Sequence, residues 1–130
     1  QISMPFAGWR EALRQGDVVR PFSDVTIAPI SLDFAVEVLL KVILERRTGV
    51  FQASAEVDVT YAEFARDLAE ACGARRELVA PVAKASTPLG PDKAARFASL
   101  DVSRVRDELK LTPQTPKQLA RWIAAFYTPH

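Results

Sequence analysis

The sequence predicts an α/β fold, mostly helical with a few short strands, in a single domain spanning residues 1–130. Apolar residues recur at helical spacing in several segments, capping signatures mark where those segments begin, and short β-prone runs bounded by Pro or Gly separate them. With 130 residues, 48% hydrophobic and 25% charged, the chain has the size and composition of one globular domain, which argues against disorder.

The first helix is expected over residues 5–15. Pro5 sits near its start, Phe6, Trp9 and Leu13 share one face, and Gly16 suits the C-terminal cap. An extended segment follows at 17–20 and is broken by Pro21. A second extended run covers 25–30, where Pro29 forbids helix just before it. Ser31 then caps a helix expected to run to Arg47 and to close at Gly49. Nine of the eleven residues Phe34–Leu44 are apolar, so this helix should be covered on nearly all sides. Residues 49–54 read as a short strand.

The third helix carries the strongest local signal. Thr60 and Glu63 form a capping box, Val59 and Phe64 occupy the positions of a hydrophobic staple, and Gly73 ends the helix. Its expected buried stripe is Tyr61, Phe64, Ala65, Leu68 and Cys72. A short strand is expected over 77–82. Residues 83–99 form a loop too long for a plain connection, a length that points to function or disorder. A short helix over 101–109, stapled by Leu100 and Val105, precedes a last helix that starts at Thr115. There Pro116 takes the first position, Gln118 completes a second capping box, and Leu119, Trp122, Ile123 and Phe126 form the inner face.

Several chemistries are excluded by residue type. His130 is the lone histidine and the last residue, so Ser-His-Asp and Cys-His catalysis and a Cys/His metal site are ruled out. Cys72 is the lone cysteine and lies on an apolar helix face, as a structural thiol would. The five glycines are scattered with no Gly-x-Gly-x-x-Gly, and no Tyr-x-x-x-Lys pair exists. The longest apolar run is shorter than the ~20 residues of a membrane span, and no secretory pattern opens the chain. A cytoplasmic location is expected. The net charge of +1 gives no reason to expect a nucleic-acid or membrane partner.

Charge is nonetheless uneven. Residues 1–65 hold six basic and nine acidic side chains, and residues 66–130 hold eleven and seven. Much of the excess falls in 74–98, where a Pro/Gly loop carrying Lys93 and Arg96 could clamp an anion such as a diphosphate. The alternative is a solvated basic loop. Arg20, just before Pro21 and Phe22, reads by itself as a surface residue in a turn.

The order of segments DVVRPFSD (17–24), IAPISLDFAVEV (27–38), GVFQAS (49–54), TYAEFARDLA (60–69) and SLDVSRV (99–105) resembles the C-terminal region of extended short-chain dehydrogenase/reductases. Within them it is most similar to the dTDP-4-dehydrorhamnose reductase and nucleotide-sugar epimerase group. The resemblance implies a substrate-binding domain, a fragment of a longer enzyme, without the Rossmann core that binds NAD(P) and carries the catalytic pair. It implies a nucleoside diphosphate sugar as ligand, no metal and no catalytic residue in this chain. As partner it implies the missing N-terminal half or, failing that, self-association. Arg20, Phe22 and Asp24 resemble the Arg/aromatic/Asp segment near the nucleotide. Arg96 resembles the arginine of a loop that here has Phe97 in place of proline, and Lys93 would add a diffuse positive charge. The alternative function is a non-catalytic binding or regulatory module with a degenerate form of the same fold.

Overall fold

A computed structural model of the chain describes residues 5–90 and 97–126, with the side chain of Phe126 outside that description. It is α/β and mostly helical: five α-helices and a two-stranded antiparallel sheet among the described residues. The helices are α1 (Phe6–Gln15), α2 (Leu32–Leu44), α3 (Tyr61–Ala71), α4 (Ser103–Leu109) and α5 (Pro116–Phe126). The strands β1 (Thr26–Ile27) and β2 (Val59–Thr60) pair Thr26 with Thr60 and Ile27 with Val59.

The principal core lies between α1, α3 and α5. Phe64, Ala65, Leu68 and Ala120 are fully buried there, with Leu13, Leu119 and Ile123 at 2–3% exposure. Phe6, Trp9 and Tyr61 form an aromatic cap over Phe64, with the Phe6 and Phe64 rings 4.7 Å apart. Arg14 at the end of α1 donates to the Ala124 carbonyl of α5 at 2.7 Å, tying the two helices. A second, smaller core joins Phe34 and Val38 of α2 to Val105 and Leu109 of α4, with Phe51 and Leu111 packed beside them.

Local signals place the helix starts. The Ser31 side chain accepts from Phe34 N–H at 3.1 Å, and Gly16 caps α1 at φ 82°. Both capping boxes form. Thr60 Oγ1 accepts from Glu63 N–H at 3.1 Å while the Glu63 carboxylate accepts from Thr60 N–H at 2.6 Å. Thr115 and Gln118 make the same exchange at 3.2 and 2.9 Å. In α5, Leu119 and Ile123 are buried as expected and Trp122 is half-buried.

Four expectations need correction. First, α2 stops at Leu44 rather than Arg47, because Arg46 takes the left-handed conformation (φ 51°) usually left to glycine. Arg46 N–H then bonds the Ile43 carbonyl and Arg47 N–H the Val42 carbonyl, a closed C-terminal cap three residues before Gly49. Second, the inner stripe of α3 includes Ala62 and Ala69, while Tyr61 and Cys72 are only half-buried. Third, residues 49–54 join no ladder, and over 76–82 a 3-10 turn at Arg76–Leu78 precedes two isolated parallel bridges, Val19–Val79 and Phe22–Val82. Fourth, Leu100, expected to staple against Val105, remains 49% exposed, while Val102 is buried.

The helix expected to be covered on nearly all sides is covered on one. Phe34 and Val38 are buried, whereas Leu32, Val36, Leu39, Leu40, Ile43 and Leu44 face outward. No described helix is long and apolar enough to cross a membrane.

Candidate functional site

Residues 19–23 run beside 78–82, joined by alternating backbone bonds. Val19 N–H reaches Leu78 O and Ala80 N–H reaches Val19 O; Val82 N–H then reaches Pro21 O and Ser23 N–H reaches Val82 O, all at 2.8–2.9 Å. An extended backbone sends successive side chains to opposite faces. Val19 and Pro21 therefore point into the core, and Arg20 between them points to solvent. Phe22 is half-buried, and its carbonyl accepts from Ala62 N–H at the start of α3.

Asp24 terminates this segment and fixes the next. Its carboxylate accepts from the backbone N–H groups of Lys84 (2.7 Å) and Ala85 (3.3 Å) at the start of the 3-10 turn Lys84–Ser86. The Lys84 N–H above all holds its pKa below the ordinary aspartate value, against the opposing effect of desolvation, and the Ala85 N–H adds to the lowering. Both oxygens thus orient the loop that leaves toward residues 91–96. Arg20, Phe22 and Asp24 share one edge of the molecule, and the start of the 83–90 loop is fastened to it. Lys93 and Arg96 lie outside the described residues.

Three residues that sequence reasoning passed over, Ser54, Asp58 and Arg104, make comparable ties to or from residues 98–104. Asp58 accepts from Ala98 N–H and Ser99 N–H at 3.1 and 2.6 Å, and buried Ser54 accepts from Leu100 N–H at 2.9 Å. Arg104 donates to the carbonyls of Thr48 and Val50, pairs with Glu108 one turn on, and sits 4.0 Å over the Phe51 ring. Nothing local in the sequence marks the distant partners of Asp58, which lie 40 and 41 residues on. A groove of about 750 Å³ follows the outer side of α3, lined by Glu63, Arg66, Asp67, Glu70 and Arg76 among others. Its charges are of both signs, and neither Arg20, Phe22 nor Asp24 is among the residues lining it.

Among the described residues the arrangement offers an exposed arginine and a half-buried phenylalanine two residues apart on one segment, whose neighbouring loop is fixed by a carboxylate. Such a set can hold an anion next to a planar or apolar group. No family model matches the chain, and neither the curated proteins nor the solved structures yield a match.

Proposed function

We propose that the chain is the substrate-binding half of an NAD(P)-dependent nucleotide-sugar reductase or epimerase. It holds a nucleoside diphosphate sugar while a separate nucleotide-binding half performs the hydride transfer. The observation that supports this reading is the Asp24 brace. It fastens Lys84 and Ala85, at the start of the 83–90 loop, to the end of the extended segment that carries Arg20 and Phe22. In this role Arg20 forks to diphosphate oxygens, Phe22 borders the nucleotide, and Asp24 acts through the loop. Lys93 and Arg96 add positive charge. The nicotinamide, bound by the other half, supplies or accepts the hydride.

Calorimetric titration with UDP and with dTDP tests the reading. Saturable binding of at least one is expected, weakened roughly 10–150-fold in Arg20→Ala, the loss of a hydrogen bond to a charged group. Arg20→Lys should recover only part, because a single ammonium cannot reproduce the two-pronged geometry. Absence of binding, or binding indifferent to Arg20, overturns the assignment. The chain alone should show no saturable NADPH binding, since neither the Gly-rich phosphate loop nor the Tyr-x-x-x-Lys pair is present in its sequence.

A further inference from the structure

We propose that a second copy of this chain covers the outer face of α2, the two helices lying antiparallel about a two-fold axis. This pairing goes beyond the nucleotide-sugar reading and does not depend on it.

The outer face has the pattern of a helix–helix seam. Leu32, Val36, Leu39 and Ile43 follow one another at steps of four, three and four residues, the spacing of heptad core positions. They are 60%, 44%, 58% and 59% exposed, with Leu40 and Leu44 widening the strip to 50% and 77% exposure. Asp33 and Glu37 border it on the side of Leu40 and Leu44. The inner face of the same helix is already taken by α4 through Phe34 and Val38, so the outer strip is a surplus that the described fold does not use. Contiguous apolar patches above a few hundred Å² are uncommon on monomers and mark interaction surfaces.

Area and charge select the occupant. The six side chains offer on the order of 600 Å² per copy, so a pair would bury about 1,200 Å², the lower edge of standard specific interfaces. The strip is nearly self-complementary when reversed, with Leu32 meeting Ile43 and Val36 meeting Leu39 across the axis. Charges beside it favour that direction. Asp33 and Glu37 lie along the first half of the helix, while Lys41, Arg46 and Arg47 in its second half and just past its end outnumber Glu45, which already pairs with Lys41 and Arg47. Antiparallel pairing brings the acidic half of one copy toward the basic end of the other and opposes the helix dipoles. Parallel pairing would align like charges and like dipole ends. The contact is isologous, so it closes at two copies and does not propagate.

Light scattering coupled to size-exclusion chromatography, run over a concentration series, tests this directly. A monomer–dimer equilibrium is expected. Leu39→Glu should weaken it at least about tenfold, because a carboxylate would be buried against the partner's apolar strip. Leu39 is exposed in the single chain, so the variant should keep its helical circular dichroism. Asp33→Arg should also weaken the dimer, and adding Arg46→Asp should restore it, a rescue that reports the antiparallel direction. A monomer at the highest concentration, or a dimer indifferent to Leu39→Glu, overturns the proposal. Failure of the rescue overturns the antiparallel arrangement. Nucleoside diphosphate affinity is a separate readout, so neither failure bears on the substrate reading.

Discussion

At Asp24 two backbone N–H groups converge on one exposed carboxylate, and the consequence is a local dependence on pH. Its folded pKa lies below the unfolded one, so the brace is fully present above the ordinary aspartate value of about 3.9. It is lost as pH falls through the lower folded value. The amide resonances of Lys84 and Ala85 should therefore titrate with a midpoint below that of a free aspartate. Asp24→Ala should abolish the titration and speed exchange at both amides; an unaltered pair of resonances would contradict the bond. Gly49 presents a different single-residue constraint. Its φ is +92°, and an added Cβ would lie 2.8 Å from Arg104 Nη1. Gly49→Ala thus combines a left-handed strain of about 1–2 kcal/mol with displacement of the guanidinium from the Thr48 and Val50 carbonyls. A thermal melt should fall by several degrees, and an unchanged melt would show that the loop rearranges freely.

Elements whose cause is local were legible in the sequence, and those whose cause is remote were not. The capping boxes at Thr60 and Thr115 need only side chains three residues apart, and both formed as expected. The end of α2 was missed because Gly49 is the conventional stop, whereas Arg46 accepts the left-handed conformation and closes the helix sooner. The strand expected at 49–54 did not form because a strand needs a neighbour, and composition cannot supply one. Of the expected substrate residues, Arg20 was legible as a surface position, but the Asp24–Lys84 tie joins residues 60 apart and left no local trace. Between α3 and α5 the electrostatics yield a further expectation. Burial raises the Asp67 pKa, only partly offset by Lys117 and Arg121. A carboxyl with a raised folded pKa costs stability when ionised and regains it as pH falls toward its unfolded value. Asp67→Asn should therefore raise the melting temperature at neutral pH and lose that advantage in acid. An advantage that persists in acid would assign the effect to packing.

At the scale of the whole molecule, the two cores are unequal, and their inequality predicts how the chain opens. The core of α1, α3 and α5 gathers twelve buried residues, while the α2–α4 core has four, Phe34, Val38, Val105 and Leu109. Stability is distributed in cooperative units, and a unit with less buried apolar surface opens at lower free energy. Hydrogen exchange should accordingly find α2 and α4 amides less protected than those of α3 in dilute protein. Phe34→Ala, which removes a large side chain from the small core at a cost of about 3–5 kcal/mol, should release α2 while α3 and α5 stay protected. Leu68→Ala, at about 2–5 kcal/mol, should instead lower protection throughout, because the principal core supports the global fold. Concentration then separates two sources of α2 stability. If a second copy covers the outer strip, α2 protection must rise with protein concentration, by mass action on the paired state, while α3 protection lags behind it. Leu39→Glu should erase that rise without touching the dilute-limit value. Equal protection of α2 and α3 in dilute protein would mean that the small core is no weaker than the large one, and the hierarchy argued here would fall.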